Sequence, residues 1–149
     1  MKKKAVILDL DGVILDTEFI LREMEKLKLK GDEKWNYFYQ NCNSDKVGVI
    51  ENIIPFIRSL TLNDRAEIII STARNEKVRP QTAKKLSKHK IFFTEMYMRG
   101  INDYRVAVEV KKDHLRQIVQ DYDVVCFVDD TLANCEMAKE LGILSMRRV

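Results

Sequence analysis

Three short apolar runs in this chain end on polar residues, and two of the three end on paired carboxylates. Residues 4–10, KAVILDL, run through Asp9 into Asp11-Gly12. Ile68–Ser71 runs into Thr72 and Arg74, and Val124–Val128 runs into Asp129-Asp130. Short apolar runs of this kind read as strands buried on both faces. Between them lie segments with helical spacing. These are Glu18–Leu29 (Phe19, Ile20, Met24, Leu27), an aromatic stretch (Trp35, Tyr37, Phe38, Tyr39), and residues 51–62 with Pro55 in the first turn. Three more follow: the basic segment Glu76–His89, Lys111–Gln120, and Thr131–Leu141 closed by Gly142. Phe93–Met98 and Ile143–Met146 read as two further strands. Alternation of buried strand and helix predicts an α/β fold with a mainly parallel sheet. Ligands of such sheets sit at the carboxyl ends of the strands, which is where the polar residues fall.

A chain of 149 residues is the size of one domain, 1–149, and its five Gly and two Pro leave no long flexible linker. The basic start Met1-Lys2-Lys3-Lys4 is followed by an apolar run that Asp9 interrupts. That run is too short for a secretory leader or a membrane span, so the expected compartment is the cytoplasm, with no membrane partner. Cys42, Cys126 and Cys135 form no C-x-x-C pair, and Cys126 lies inside an apolar run and reads as core. His89 and His114 fall in no metal-spacing motif, and His114 reads as a helix-surface residue. Residues 74–116 hold 12 Lys/Arg against 5 Asp/Glu, a basic block that is either a solvated face or a surface for phosphate-rich substrates.

Folding does not ask for two pairs of acids at the ends of buried strands. Such acids repel unless a cation sits among them, and hard oxygen ligands suit Mg²⁺ together with a substrate phosphate. A carboxylate can take a phosphoryl group to give an aspartyl-phosphate. A hydroxyl and a cation are then needed on the remaining phosphate oxygens, and a second carboxyl must protonate the leaving group and activate water. Asp9, Thr72, Lys111 and Asp11 can fill those roles.

The four motifs resemble, in type and order, those of the haloacid dehalogenase superfamily: Asp9-Leu10-Asp11-Gly12-Val13, Thr72, Lys111 and Asp129-Asp130. The resemblance runs along the whole chain. It implies a Rossmann-like three-layer sandwich with a five-stranded sheet of order 3-2-1-4-5. It also implies Asp9 as nucleophile, Asp11 as general acid/base, and Thr72 and Lys111 on the phosphoryl group. Lys112 is the alternative lysine. Mg²⁺ would be held by Asp9, the Asp11 backbone carbonyl and Asp129, with Asp130 in support and Gly12 beside the substrate. A narrower resemblance, through Ser71-Thr72-Ala73-Arg74, Met96–Arg99, Asp103 and Val110-Lys111, is to the phosphatase half of polynucleotide kinase-phosphatases. It implies that Arg74 helps bind phosphate. No G-x-x-x-x-G-K-[ST] loop is present, so only phosphatase activity is expected. Thr131 stands where this branch often carries Arg, which weakens the substrate assignment.

Only residues 17–50 can form a cap, so a minimal or small helical lid is expected. An open site suits a phosphorylated nucleic-acid end, and Arg74, Arg99 and Arg105 are candidates to contact it. The rival readings are a small-molecule phosphatase or 5′-nucleotidase, and a non-catalytic phospho-acceptor domain.

Overall fold

A computed structural model describes residues 1–149. Five parallel strands form one sheet in the order β3-β2-β1-β4-β5. They are β1 (Lys3–Leu8), β2 (Glu67–Asn75), β3 (Glu95–Arg99), β4 (Tyr122–Asp129) and β5 (Ser145–Arg147). The helices are α1 (Glu18–Lys26), α2 (Gly31–Asn41), α3 (Ile53–Thr61), α4 (Arg79–Lys88), α5 (Ala107–Asp121) and α6 (Leu132–Glu140). The α/β class and the strand order match the expectation.

The central strand is apolar throughout because both of its faces are covered. Val6 and Leu8 enter a core shared with Ile20 and Met24 of α1, Phe38 of α2, Ile53 and Ile57 of α3, and Leu86 of α4. Ala5 and Ile7 enter a second core with Leu115 and Ile118 of α5 and Met137 and Ala138 of α6. Period-two alternation thus feeds two helical layers, giving a three-layer sandwich. Register aligns the strand ends: Leu8 pairs Ile70 of β2 and Val128 of β4. Asp9, Ser71 and Asp129 therefore emerge at the same level on neighbouring strands.

Several boundaries differ from the expected ones. β2 runs on from Ser71 to Asn75, carrying Thr72 and Arg74 within the strand. The basic helix is split into a 3₁₀ turn, Glu76–Val78, and α4, with Pro80 in the first turn of α4. An absent proline N–H costs nothing there. α5 starts at Ala107, so Lys111 lies in its second turn rather than at its start. Residues 17–50 supply α1 and α2, and they bury Ile20, Met24, Phe38, Cys42 and Val47 in the same core as the sheet. No helix is long and apolar enough to cross a membrane. Cys42, Cys126 and Cys135 are buried free thiols.

His114 corrects the surface reading. It is buried, with Nδ1 2.9 Å from Ser71 Oγ and Nε2 3.1 Å from the Met98 carbonyl oxygen. A carbonyl only accepts, so Nε2 carries the proton and Nδ1 accepts from the serine hydroxyl. Burial, reinforced by the Lys111 charge, holds this imidazole down at about 4. Unfolded histidine takes up protons near pH 6.5, so the unfolded chain binds more protons as pH falls from there toward 4. Stability from this group is whole above that range and is lost through it, by about 2 kcal/mol between pH 7 and pH 5. Urea denaturation at the two pH values measures it, and His114→Gln should flatten the difference.

Candidate active site

Asp9 follows β1 directly, and its amide donates to Val128 O, which continues the sheet by one residue. The side chain is buried. Asp9 Oδ1 accepts from the Leu10 amide at 2.8 Å and lies 2.7 Å from Lys111 Nζ. The same ammonium donates to Asp129 Oδ2 at 2.6 Å. Lys111 is 2% exposed, whereas Lys112 is only half-buried, so the geometry singles out Lys111.

Asp129 is wholly buried at the end of β4. Its Oδ1 accepts from the Thr131 amide at 2.9 Å, and Asn134 Nδ2 reaches both carboxylate oxygens at 3.2 Å. Asn134 was not among the expected site residues. It lies in the first turn of α6, on the side of that helix facing the strand end.

Asp9, Asp129 and Asp130 present carboxylate oxygens within 4.8 Å of one another. Three acids share one buried lysine, so negative charge is in excess. Burial pushes the Asp9 carboxyl well above the usual carboxylate range, and Asp129 adds to this while Lys111 opposes it. Burial raises Asp130 too. Burial by itself would lower Lys111, but the Asp9 and Asp129 charges outweigh it and hold the ammonium above its ordinary value. A hard dication among these oxygens would relieve the repulsion, and an all-oxygen donor set suits Mg²⁺. The residues present therefore fit that ion.

Gly12 shapes the same corner. Its φ is +83°, and a Cβ added there would stand 2.1 Å from Asp130 Oδ2. Its amide donates to Leu15 O, so Gly12 serves by allowing close approach, with no N–H left for substrate. Gly12→Ala should displace Asp130 and weaken Mg²⁺ binding about 10-fold or more, as read by titration calorimetry.

Thr72 is 1% exposed, and its Oγ1 accepts from the Arg74 amide at 3.1 Å. Arg74 does not face outward as a phosphate ligand. It is 2% exposed, and its fork grips Asp11, with Nε 2.9 Å from Oδ2 and Nη2 2.6 Å from Oδ1. The Asp11 carboxylate thus stands outside the three-acid cluster. Arg99 donates to the carbonyls of Ala73, Asp103 and Arg105, and Arg105 is paired with Asp103 and Asp113. Arg105 is therefore met by acids of the same block, and the Arg99 donors are engaged by backbone carbonyls. Two cations absent from the expected set reach the site from the end of β5. Arg147 Nε donates to Asp130 O, and Arg148 Nη1 donates to Gly12 O.

A cavity of about 710 Å³ lies elsewhere, along the edge strand β3. Glu76, Glu95, Asp103 and Asp113 outnumber Arg79 and Arg105 on its walls, so it does not suit an anionic substrate.

The model of the polynucleotide kinase PNKP phosphatase domain, a haloacid dehalogenase group, matches residues 3–147. No curated protein matches the chain. Among solved structures, the Pnkp1/Rnl/Hen1 RNA repair complex aligns with TM-score 0.78 and 23% identity, covering 99% of this chain and 42% of that one. A class C acid phosphatase from Bacillus anthracis with tungstate bound aligns with TM-score 0.69 and 20% identity, covering 90% of this chain and 54% of that one. A haloacid dehalogenase-like hydrolase from Streptococcus pneumoniae aligns with TM-score 0.68 and 13% identity, over 98% and 84%. The chain thus spans less than half of the chain of that complex with which it aligns. With its sheet order, its strand-end acids and a family match over nearly its whole length, the chain belongs to the haloacid dehalogenase-like phosphatase-domain family of polynucleotide kinase PNKP.

Proposed function

We propose that the chain is a Mg²⁺-dependent phosphomonoesterase that works through an aspartyl-phosphate on Asp9, with phosphorylated nucleic-acid ends as substrate. The observation that carries this reading is the buried contact of Lys111 with both Asp9 and Asp129 at the strand ends, 2.7 and 2.6 Å.

An Asp9 oxygen attacks phosphorus, and the bond from phosphorus to the ester oxygen breaks. Asp11, protonated on the oxygen that turns away from the Arg74 fork, gives its proton to that departing oxygen. Asp11, now a carboxylate, takes a proton from water, and the resulting hydroxyl attacks phosphorus. Inorganic phosphate leaves and Asp9 is restored. Lys111 and the Thr72 hydroxyl hold the non-bridging phosphate oxygens as charge shifts onto them. Mg²⁺, held by Asp9, Asp129 and Asp130, would neutralise the repulsion between the nucleophile and the phosphate dianion. Asn134 and the Thr131 amide fix the Asp129 carboxylate that would hold the ion. Arg147 and Arg148 add positive charge at the rim.

The nucleic-acid reading is supported by the family match and by the small size of the lid, residues 17–50, on a single domain. The reading includes a cytoplasmic setting, which suits three free thiols. The test compares kcat/KM for a 3′-phosphorylated oligonucleotide, a nucleoside monophosphate and p-nitrophenyl phosphate, each with Mg²⁺. The oligonucleotide should be preferred by at least about 10-fold, which is about 1.4 kcal/mol of transition-state binding. Preference for the monophosphate would move the assignment to a small-molecule phosphatase or 5′-nucleotidase. Absence of steady turnover on all three would leave a phospho-acceptor domain.

A further inference from the structure

Arg74 has five N–H donors, and each is taken. Nε and one Nη2 hydrogen meet the two Asp11 oxygens, and the other Nη2 hydrogen meets Cys42 O at 3.1 Å. Nη1 meets Asn43 Oδ1 at 2.7 Å and Thr82 Oγ1 at 3.2 Å. The Phe38 ring lies 5.9 Å from the guanidinium carbon. Phe38, Cys42 and Asn43 all belong to the segment inserted between β1 and β2, at and just after α2. Asp11 belongs to the loop after β1, and Thr82 to α4. Asn43 Nδ2 also donates to Thr82, and Lys85 of α4 donates to Ser44 O, so the end of the insert is strapped to the body around this one arginine.

We infer that Arg74 is a positioning residue that couples the seating of the lid segment 42–44 to the orientation of Asp11. This rests on the proposed role of Asp11 as general acid/base. A guanidinium with every donor engaged at 2% exposure has none to offer a phosphate oxygen. Its planar fork sets both Asp11 oxygens at once, which a lysine could not do. Without the Asn43 and Cys42 partners, Nη1 and Nη2 would be held on one side only, and the guanidinium would be free to turn and carry Asp11 with it.

The two ideas differ in what they do to the leaving group. An ester with a poor leaving group needs the acid, whereas p-nitrophenyl phosphate scarcely does. Arg74→Met should lower kcat/KM, which reports the first phosphoryl transfer and not the later hydrolysis, by about 10²-fold for a 3′-phosphorylated oligonucleotide, within the range that general acid catalysis supplies. For p-nitrophenyl phosphate the loss should stay below about 10-fold, and inhibition by inorganic phosphate should change by less than about 3-fold. Asn43→Ala should show the same selectivity in weaker form and have no further effect in the Arg74→Met background, because it acts through that side chain. Full additivity of the two substitutions, or weakening of phosphate inhibition by 10-fold or more with kcat unchanged, overturns the coupling. Should Arg74→Met not fold, Asn43→Ala and Thr82→Val carry the test, and equal losses on both leaving groups overturn it. Asp11→Asn separates the two levels. If it keeps oligonucleotide turnover, the acid/base reading fails; if it is inactive while Asn43→Ala is not leaving-group selective, only the coupling fails.

Discussion

Asp9→Asn is expected to lower turnover of any phosphomonoester by at least about 10⁴-fold, while the melting temperature stays the same or rises. The two halves of this result have separate causes. Asparagine is nearly isosteric, and its oxygen can still accept from the Leu10 amide and from Lys111, the two contacts Asp9 Oδ1 makes at 2.8 and 2.7 Å. Local geometry is therefore kept. The amide oxygen is not an anion and cannot form a stable bond to phosphorus, so the first step stops. Stability follows the charge balance instead. Asp9 is the acid that burial penalises most clearly, and Asp129 and Asp11 repel it further. Removing one charge from a cluster in excess of its counter-ion takes strain out of the apo protein. Steady-state kinetics and a thermal melt without divalent cations, run on the same preparation, measure both halves. Turnover near wild type would place the nucleophile elsewhere.

What could be read ahead of the structure divides along a physical line. Strand ends were legible because a buried parallel strand must be apolar on both faces, so the first polar residue marks its exit. Asp9, Thr72 and Asp129 lie at or near such exits, and the parallel register brings them to one level. Lys111 lies on α5 and not at a strand exit, so position alone left it open with Lys112, and only the family resemblance of Val110-Lys111 favoured it. Arg74 was legible as a residue and not as a contact. Its partner Asn43 is 31 positions away on the inserted segment, and nothing in a one-dimensional pattern says which way a guanidinium turns. Arg99 and Arg105 were legible in the same way, since charge counts do not show that Asp103, Asp113 and three carbonyls already hold them. His114 is different, because its signal was present. It lies four residues after Val110 and four before Ile118, both buried, so it falls on the inner stripe of α5. The same strand-end logic, applied to β5, would have drawn attention to Arg147 and Arg148.

Lys111→Met should destabilise the protein by about 3–5 kcal/mol without divalent cations, and Mg²⁺ should restore much of the loss. Lys111 is the one ammonium in contact with both Asp9 and Asp129, and both carboxylates are almost fully buried. Methionine fills the space of the aliphatic stem but leaves two buried anions facing each other. Their mutual repulsion, and the desolvation that Lys111 offset, then fall on the native state. A dication among Asp9, Asp129 and Asp130 would answer the same charges from the other side, so stability in the variant becomes strongly dependent on it. The wild type, already partly balanced by its lysine, should gain less from the ion. Lys111→Arg should not rescue the variant, because a planar fork cannot occupy a space shaped for a compact ammonium 2.6 and 2.7 Å from two carboxylates. Urea denaturation of wild type, Lys111→Met and Lys112→Met, with and without Mg²⁺, reads these differences directly. Lys112→Met should stay within about 0.5 kcal/mol of wild type in both conditions, as a substitution outside the buried cluster does. If Lys111→Met matched it, the buried acids would have to be neutral at rest, and the excess of negative charge from which the metal site is argued would vanish with them.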